Sequence, residues 1–295
     1  TFLLFLGFTF SFKKMILVAD SGSTKTDWRL IDNESIKQFS CIGLNPDFVD
    51  SEKVKNVLGD TFSQIDSSSV LEIHFYGSGC SSESRNVIIE LGLKEVFPHS
   101  DIFVYHDLLG AARAACGKRQ GIAGILGTGS NCCLFDGVEV VQQFKSGGFI
   151  ISDEGGGVDI GKRVLKSFIE GRMPEELNER FLKRYKTTVD VILENLYKKP
   201  HPNKYLASFS RFAFHNKENP FISEILENSF SAYFQKMVTR FDQYETIPLN
   251  LVGSIAFYYQ ELIRKVAQNF GVQVGTILEK PISGLALYHS SLGAE

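Results

Sequence analysis

The stretch MILVADSGSTKTDW, residues 15–28, runs from an apolar segment into glycine and hydroxyl residues and then turns straight back toward a strand. Met15–Ala19 is continuously apolar, as expected of a strand buried on both faces. Trp28–Ile31 alternates and predicts a second strand. Asp32–Asn33 reads as a turn, and Ser35–Ser40 as a third strand. The loop from Asp20 to Thr26 offers backbone N–H groups and hydroxyls where glycine lets a ligand come close, which suits an anion. It equally suits an ordinary turn, since Gly and Ser are common loop residues.

The same pattern returns about one hundred residues on. Gly121–Leu126 is an apolar strand, GTGSN (Gly127–Asn131) a small polar loop, Cys132–Phe135 a strand, Asp136–Gly137 a hairpin turn and Val138–Phe144 a third strand. RLIDNESIKQF (Arg29–Phe39) and CLFDGVEVVQQF (Cys133–Phe144) share an apolar pair, an Asp at the turn and a final Gln-Phe. An internal repeat of this kind predicts two similar α/β domains, each presenting one loop to a shared cleft.

Between the two repeats, a 3.6-residue spacing predicts a helix over Val54–Ile65 and another over Val87–Val96, with strands at Val70–Tyr76 and Ile102–Tyr105. Leu108–Cys116 reads as an Ala-rich helix. The second half is mainly helical: an amphipathic face over Ile160–Ile169, a helix entered at Pro174, and a long one over Phe221–Phe241. A strand is expected at Pro248–Val252, a helix over Phe257–Phe270, a last strand at Val272–Leu278 and a closing helix at Ile282–His289. The predicted domains are residues 15–116 with the returning segment 282–295, and residues 117–281 with helical insertions.

Composition excludes several classes. The net charge of −3, with no basic block, gives no electrostatic support for nucleic acid. Five cysteines, an odd number without a CxxC pair, fit neither a disulfide framework nor structural zinc and suggest a reducing, cytoplasmic compartment. Residues 1–14 are apolar but too short to span a bilayer, and lack the flanks of a signal peptide. They read as an extension ahead of a natural start at Met15, so no membrane partner is expected. GxxxxGK[ST] is absent, and GTGSN is followed by a strand, which argues against dinucleotide binding.

ADSGSTKTDW, HDLLGA, GILGTGSN, GFIISDEGGG and LVGSIAF occur in the order seen in the BadF/BadG-type ATPase family, and the chain most resembles its N-acetylglucosamine kinase branch. The likeness covers nearly everything from Met15 onward. It implies two ribonuclease-H-like (actin-like ATPase) domains closing on ATP and an amino sugar, with a homodimer as a family expectation. It also implies roles. Asp20 holds Mg²⁺, directly or through water, as an oxygen ligand would. Gly22, Ser23, Thr24, Lys25, Thr26, Gly127, Thr128 and Gly129 face the phosphates. Gly253 and Ser254 form the adenosine-side turn. Asp107 is the general base. Asn45, Thr128, Ser130, Asn131, Gly148, Phe149 and Asp153 meet the sugar, with Glu154 as a neighbour.

Plainer readings stand beside these: Asp107 as an N-cap, Asn45 and Asn131 as turn residues, Asp153 and Glu154 as charges at a helix N-terminus, Lys25 as a solvated lysine. Phe149 stands where animal relatives have Trp, and the segment is shorter here, with Ser152 where Gly is usual. N-acetylglucosamine, glucosamine and N-acetylmuramic acid all remain open as substrates. The competing readings are an ATPase activator of a radical dehydratase, with Cys80 as a cluster ligand, and a sugar-sensing regulator without catalysis.

Overall fold

The computed structural model describes residues 15–22, 24–32 and 35–290. The segment 1–14, Ser23, Asn33 with Glu34, and residues 291–295 lie outside the described residues. The chain divides into two units, Thr1–Gly110 with Leu285–Glu295, and Ala111–Gly284.

The first unit is built on β1 (Met15–Ser21), β2 (Lys25–Ile31), β3 (Ile36–Ile42), α1 (Ser51–Thr61), β4 (Val70–Gly77), α2 (Glu83–Val96), β5 (Asp101–His106) and the start of α3 (Asp107–Cys116). Its five-stranded sheet has the order β3-β2-β1-β4-β5. β1–β2 and β2–β3 are antiparallel, whereas β1, β4 and β5 run parallel. Leu17, Val18 and Ala19 are fully buried, as the unbroken apolar run requires of a strand covered on both faces. On one face α1 and α2 seal a core around Trp28, whose ring meets Phe62 edge-on at 5.3 Å. Gly92 lets the two helices close, since a Cβ there would lie 2.5 Å from Val54.

The second unit repeats this plan with β6 (Gly121–Leu126), β7 (Ser130–Phe135), β8 (Val140–Gln143), β9 (Leu249–Val252) and β10 (Val274–Leu278). The sheet order is β10-β9-β6-β7-β8, with β6, β7 and β8 antiparallel and β6, β9 and β10 parallel. Each sheet therefore has a meander of three strands on one side and two parallel crossovers on the other: the two similar domains expected from the repeat, with the ribonuclease-H-like plan that the family resemblance implies. Between β8 and β9 come α4 (Gly148–Ile151), α5 (Gly157–Ile169), α6 (Glu175–Tyr185), α7 (Val189–Tyr197), α8 (Pro202–Ser208), α9 (Ser210–His215) and α10 (Pro220–Lys236). α11 (Ser254–Tyr258) and α12 (Gln260–Gln268) follow β9, and α13 (Ile282–Ser290) closes the described chain.

Several expected bounds shift: the helix expected over Val54–Ile65 is Ser51–Thr61, and the strands expected at Val138–Phe144 and Val272–Leu278 are Val140–Gln143 and Val274–Leu278. Three further differences have a visible cause or consequence. β2 begins at Lys25, so the first loop is tighter than the sequence suggests, with Gly22 N–H donating to Lys25 O at 3.0 Å. The helix expected over Phe221–Phe241 ends at Lys236 and is followed by a 3₁₀ turn, Val238–Arg240. The helix expected over Phe257–Phe270 is two helices meeting at Tyr259, whose hydroxyl donates to Ser210 O at 3.0 Å. A buried tertiary hydrogen bond of this kind can override the local period.

Candidate functional site

In the first unit the predicted residues gather where β1, β4 and β5 end. Asp20 and Asp27 are cross-strand partners in the β1–β2 register, so their carboxylates stand on one face. Lys25 Nζ lies 2.6 Å from Asp27 Oδ1, so this lysine is ion-paired rather than simply solvated. Thr26 is fully buried. Its hydroxyl donates to Ile42 O at 3.0 Å and lies 2.8 Å from Ser21 Oγ, so that side chain serves the sheet and does not reach a phosphate. Asn45 is 4% exposed and accepts from Asp47 N–H at 2.8 Å, a turn role. Gly79, at φ +87°, leaves room for it; a Cβ there would sit 2.4 Å from Asn45 Oδ1.

Asp107 is the first residue of α3, immediately after β5. Burial pushes its carboxyl above the usual carboxylate range, with His106 and the Leu108 N–H pulling the other way. His106 Nδ1 lies 3.1 Å from Asp107 Oδ1. Sequence reading gave His106 no role, although adjacency at a strand-to-helix junction was the available signal. Cys80 is 2% exposed, and burial with the Asp107 and Asp47 charges pushes its thiol up to about 12.

In the second unit GTGSN, SDEGGG and the Gly253 turn interlock. Gly127 N–H donates to Gly129 O at 3.0 Å, closing the loop on itself. The first backbone donors of α5 do not point at an open site: Gly157 N–H bonds Gly127 O at 2.8 Å and Val158 N–H bonds Thr128 O at 2.9 Å. Gly156 lies against the loop backbone, where a Cβ would be 2.7 Å from the Gly129 carbonyl carbon. Gly253, at φ +122°, passes so near β6 that a Cβ would meet Leu126 O at 2.3 Å.

Asp153 adopts φ +69°, a left-handed conformation that non-glycine residues seldom take. Its carboxylate accepts from the Ser130 N–H and from Ser146 Oγ at 3.4 Å. Burial raises its pKa against those bonds and against the Lys162 charge. Lys162 Nζ also donates to Phe149 O at 2.9 Å, which ties the GFII segment to α5. Burial disfavours the Glu154 carboxylate, but Lys236 at 2.7 Å outweighs it and holds Glu154 below its usual range. The Ser130 hydroxyl is buried with no hydrogen-bond partner among the described residues. Asn131 Oδ1 accepts from Cys132 N–H at 2.9 Å, a local bond within β7 rather than in a turn.

The second unit thus brings together Gly127, Thr128, Gly129, Ser130, Asn131, Gly148, Phe149, Asp153, Gly253 and Ser254. Beside them opens a pocket of about 340 Å³, bordered by Gly127, Thr128 and Ser254 and, on its far wall, by Lys204, Ser208 and Arg211. Sequence reading missed that wall. Among the described residues, no three or more His, Cys, Asp or Glu side chains form a metal-binding group, and no helix is long and apolar enough to cross a membrane.

No family model and no curated protein matches the chain. Solved structures do. A candidate N-acetylglucosamine kinase from Porphyromonas gingivalis is 38% identical, with 94% of this chain and 99% of that one covered and a TM-score of 0.89. One from Chromobacterium violaceum is 15% identical over 94% of this chain and 99% of its own, with a TM-score of 0.74. A ROK family glucokinase from Streptomyces griseus, solved with glucose and AMPPNP, is 14% identical over 94% of this chain and 98% of its own, at 0.58. The last two carry the fold alone. The first carries more: over nearly its whole length, this chain belongs to the family of the Porphyromonas N-acetylglucosamine kinase-like protein.

Proposed function

We propose that this protein is an ATP-dependent sugar kinase that phosphorylates a hydroxyl of an amino sugar, O6 of N-acetylglucosamine or of a close relative such as glucosamine or N-acetylmuramic acid. The observation that carries the reading is the Asp153 carboxylate, held on the Gly129–Ser130 peptide beside a pocket of nucleotide size. Family membership adds to it. A carboxylate in that position can accept hydrogen bonds from two sugar hydroxyls, and the buried Ser130 hydroxyl lacks a partner that a ligand would supply.

In this reading the sugar oxygen attacks the γ-phosphorus, the bond to the bridging oxygen breaks, and ADP leaves. Asp107 takes the hydroxyl proton. A base raised toward the working pH is better matched to that step than an ordinary carboxylate. The backbone of Gly127–Gly129 and the residues Gly22, Ser23 and Thr24 serve the phosphates. Thr26 contributes through the sheet, not by contact. Asp20, with Asp27 beside it, suits nucleotide-bound Mg²⁺, which takes one or two carboxylates and keeps phosphate and water as its other ligands. Bound there, the ion would offset charge on the transferring group.

The test is ADP release from Mg-ATP with N-acetylglucosamine, glucosamine, N-acetylmuramic acid, glucose and N-acetylmannosamine. Turnover on one amino sugar supports the reading and names the substrate. Silence on all five, with ADP still bound by the protein, would overturn the kinase assignment.

A further inference from the structure

The far wall of the 340 Å³ pocket is set by two close backbone approaches. A Cβ at Gly161 would lie 1.9 Å from Leu206 O, and one at Gly157 would lie 3.3 Å from the Ala207 methyl group. Only glycine at 161 lets α8 lie this near the first turns of α5, and α5 in turn holds the Gly127–Thr128 carbonyls. The Tyr259 hydroxyl bonds Ser210 O at 3.0 Å and fixes the start of α9. Lys204 on α8 and Arg211 on α9 are carried to the pocket by this packing.

The pocket lining is one-sided in charge. It comprises backbone and hydroxyl groups, the apolar side chains of Ala207 and Ile255, these two cations, and no carboxylate. Neither cation forms a side-chain ion pair within 4.0 Å among the described residues, whereas many exposed lysines and arginines elsewhere in the chain do, such as Lys236 with Glu154 and Arg180 with Glu176. The Ser208 and Ser210 hydroxyl protons are committed to Tyr205 O at 2.6 Å and Ala207 O at 2.7 Å. Their oxygens remain as acceptors for a ligand's N–H or O–H groups. Two cations beside acceptor oxygens on the α8–α9 wall, with the Gly127–Thr128 loop as another border, fit a ligand with an anionic chain at one end and a polar heterocycle or sugar at the other.

We infer that Lys204 and Arg211 are nucleotide-binding residues, whose charges hold the phosphate chain of the nucleotide against the Gly127–Thr128 loop. The inference rests on the kinase reading for the identity of the ligand, but its test does not need turnover. Both side chains are exposed, so their removal is not expected to unfold the chain.

The experiment is calorimetric titration of the full chain with ADP, without sugar. Lys204→Ala/Arg211→Ala is expected to bind ADP about tenfold more weakly than the parent, with the gap shrinking as salt is raised. Lys204→Arg and Arg211→Lys keep the charge and are expected to stay within about threefold. If the parent binds ADP and the double variant binds it equally well at low salt, the inference fails and the kinase reading survives. A loss that is the same at low and high salt would overturn the role of charge. A parent that binds no ADP would remove both. In the coupled assay the double variant should raise the KM for ATP and leave the sugar KM within about twofold; equal rises in both would mark a structural effect and overturn the assignment.

Discussion

Asp153 Oδ2 lies 2.5 Å from the point a Cβ on residue 129 would occupy, so the carboxylate can rest on the loop only because residue 129 is glycine. The two positions are one device: the loop glycine makes the space, and the strained Asp153 fills it.

Gly129→Ala should therefore displace the carboxylate. We expect the sugar KM to rise at least tenfold, as a rough figure for one lost charged hydrogen bond, with a smaller change in the ATP KM. Asp153→Ala should do the same, and the double variant should cost less than the sum, because the methyl group then has nothing to strike. Strictly additive effects on the sugar KM would separate the two residues.

Asp107→Asn should abolish turnover and spare ADP binding. It also has a stability signature. The folded-state pKa of Asp107 is raised, so its contribution is fully present below the unfolded value of about 3.9 and is lost as pH rises through the folded value. Asn stays neutral throughout. The variant should accordingly have the higher Tm at about pH 8, with the difference closing as pH falls toward about 4. A parent that is the more stable at about pH 8 would show that Asp107 is not held in a desolvated setting. The acid limb of kcat/KM in the parent should lie above the ordinary carboxylate range.

Asp159 is 8% exposed and accepts from Ser229 Oγ at 2.6 Å, Arg163 Nε at 3.0 Å and Gly155 N–H at 3.4 Å. It braces the turn that carries Asp153. Asp159→Asn keeps the shape but weakens three bonds, and should raise the sugar KM more than it lowers kcat. A drop in Tm alone, with unchanged kinetics, would restrict Asp159 to stability.

Gly161→Ala inserts a methyl group 1.9 Å from a backbone oxygen, which has no rotamer by which to escape. Overpacking of this kind costs on the order of 1–3 kcal/mol. The change should lower Tm by several degrees and weaken ADP binding, as α8 moves off α5. An unchanged Tm would mean that the helices separate freely here.

Asp20→Asn should raise the Mg²⁺ concentration needed for half-maximal turnover while leaving sugar binding intact, because Asp27 alone remains on that face. An unaltered Mg²⁺ dependence would place the ion elsewhere.

Much of this was legible in the chain. The repeat of strand, small polar loop, strand, turn and strand appears as two sheets of one order, because buried strands must be apolar and tight turns need Gly, Asp or Asn. The GTGSN and DEGGG segments were legible as partners only by resemblance. What joins them is glycine backbone contact, at Gly129 and Gly156, which leaves no periodic trace. Thr26 read as a ligand because hydroxyls beside glycine look alike in sequence; its place in β2 turns it inward. Lys204 and Arg211 were silent because α8 and α9 are short, and their proximity to Gly127 depends on contacts of Gly157 and Gly161 with residues about fifty positions away.

The bonds from α5 to the Gly127 and Thr128 carbonyls do more than fix the loop. Each carbonyl belongs to a peptide group whose other end is an N–H, that of Thr128 or of Gly129. A peptide that accepts a strong bond at its oxygen becomes a better donor at its nitrogen. The partial positive charge at the head of α5 is thus relayed through two peptide planes and delivered on the far side of the loop. The loop acts as a polarised conduit, presenting a helix's electrostatics at a point the helix itself does not reach.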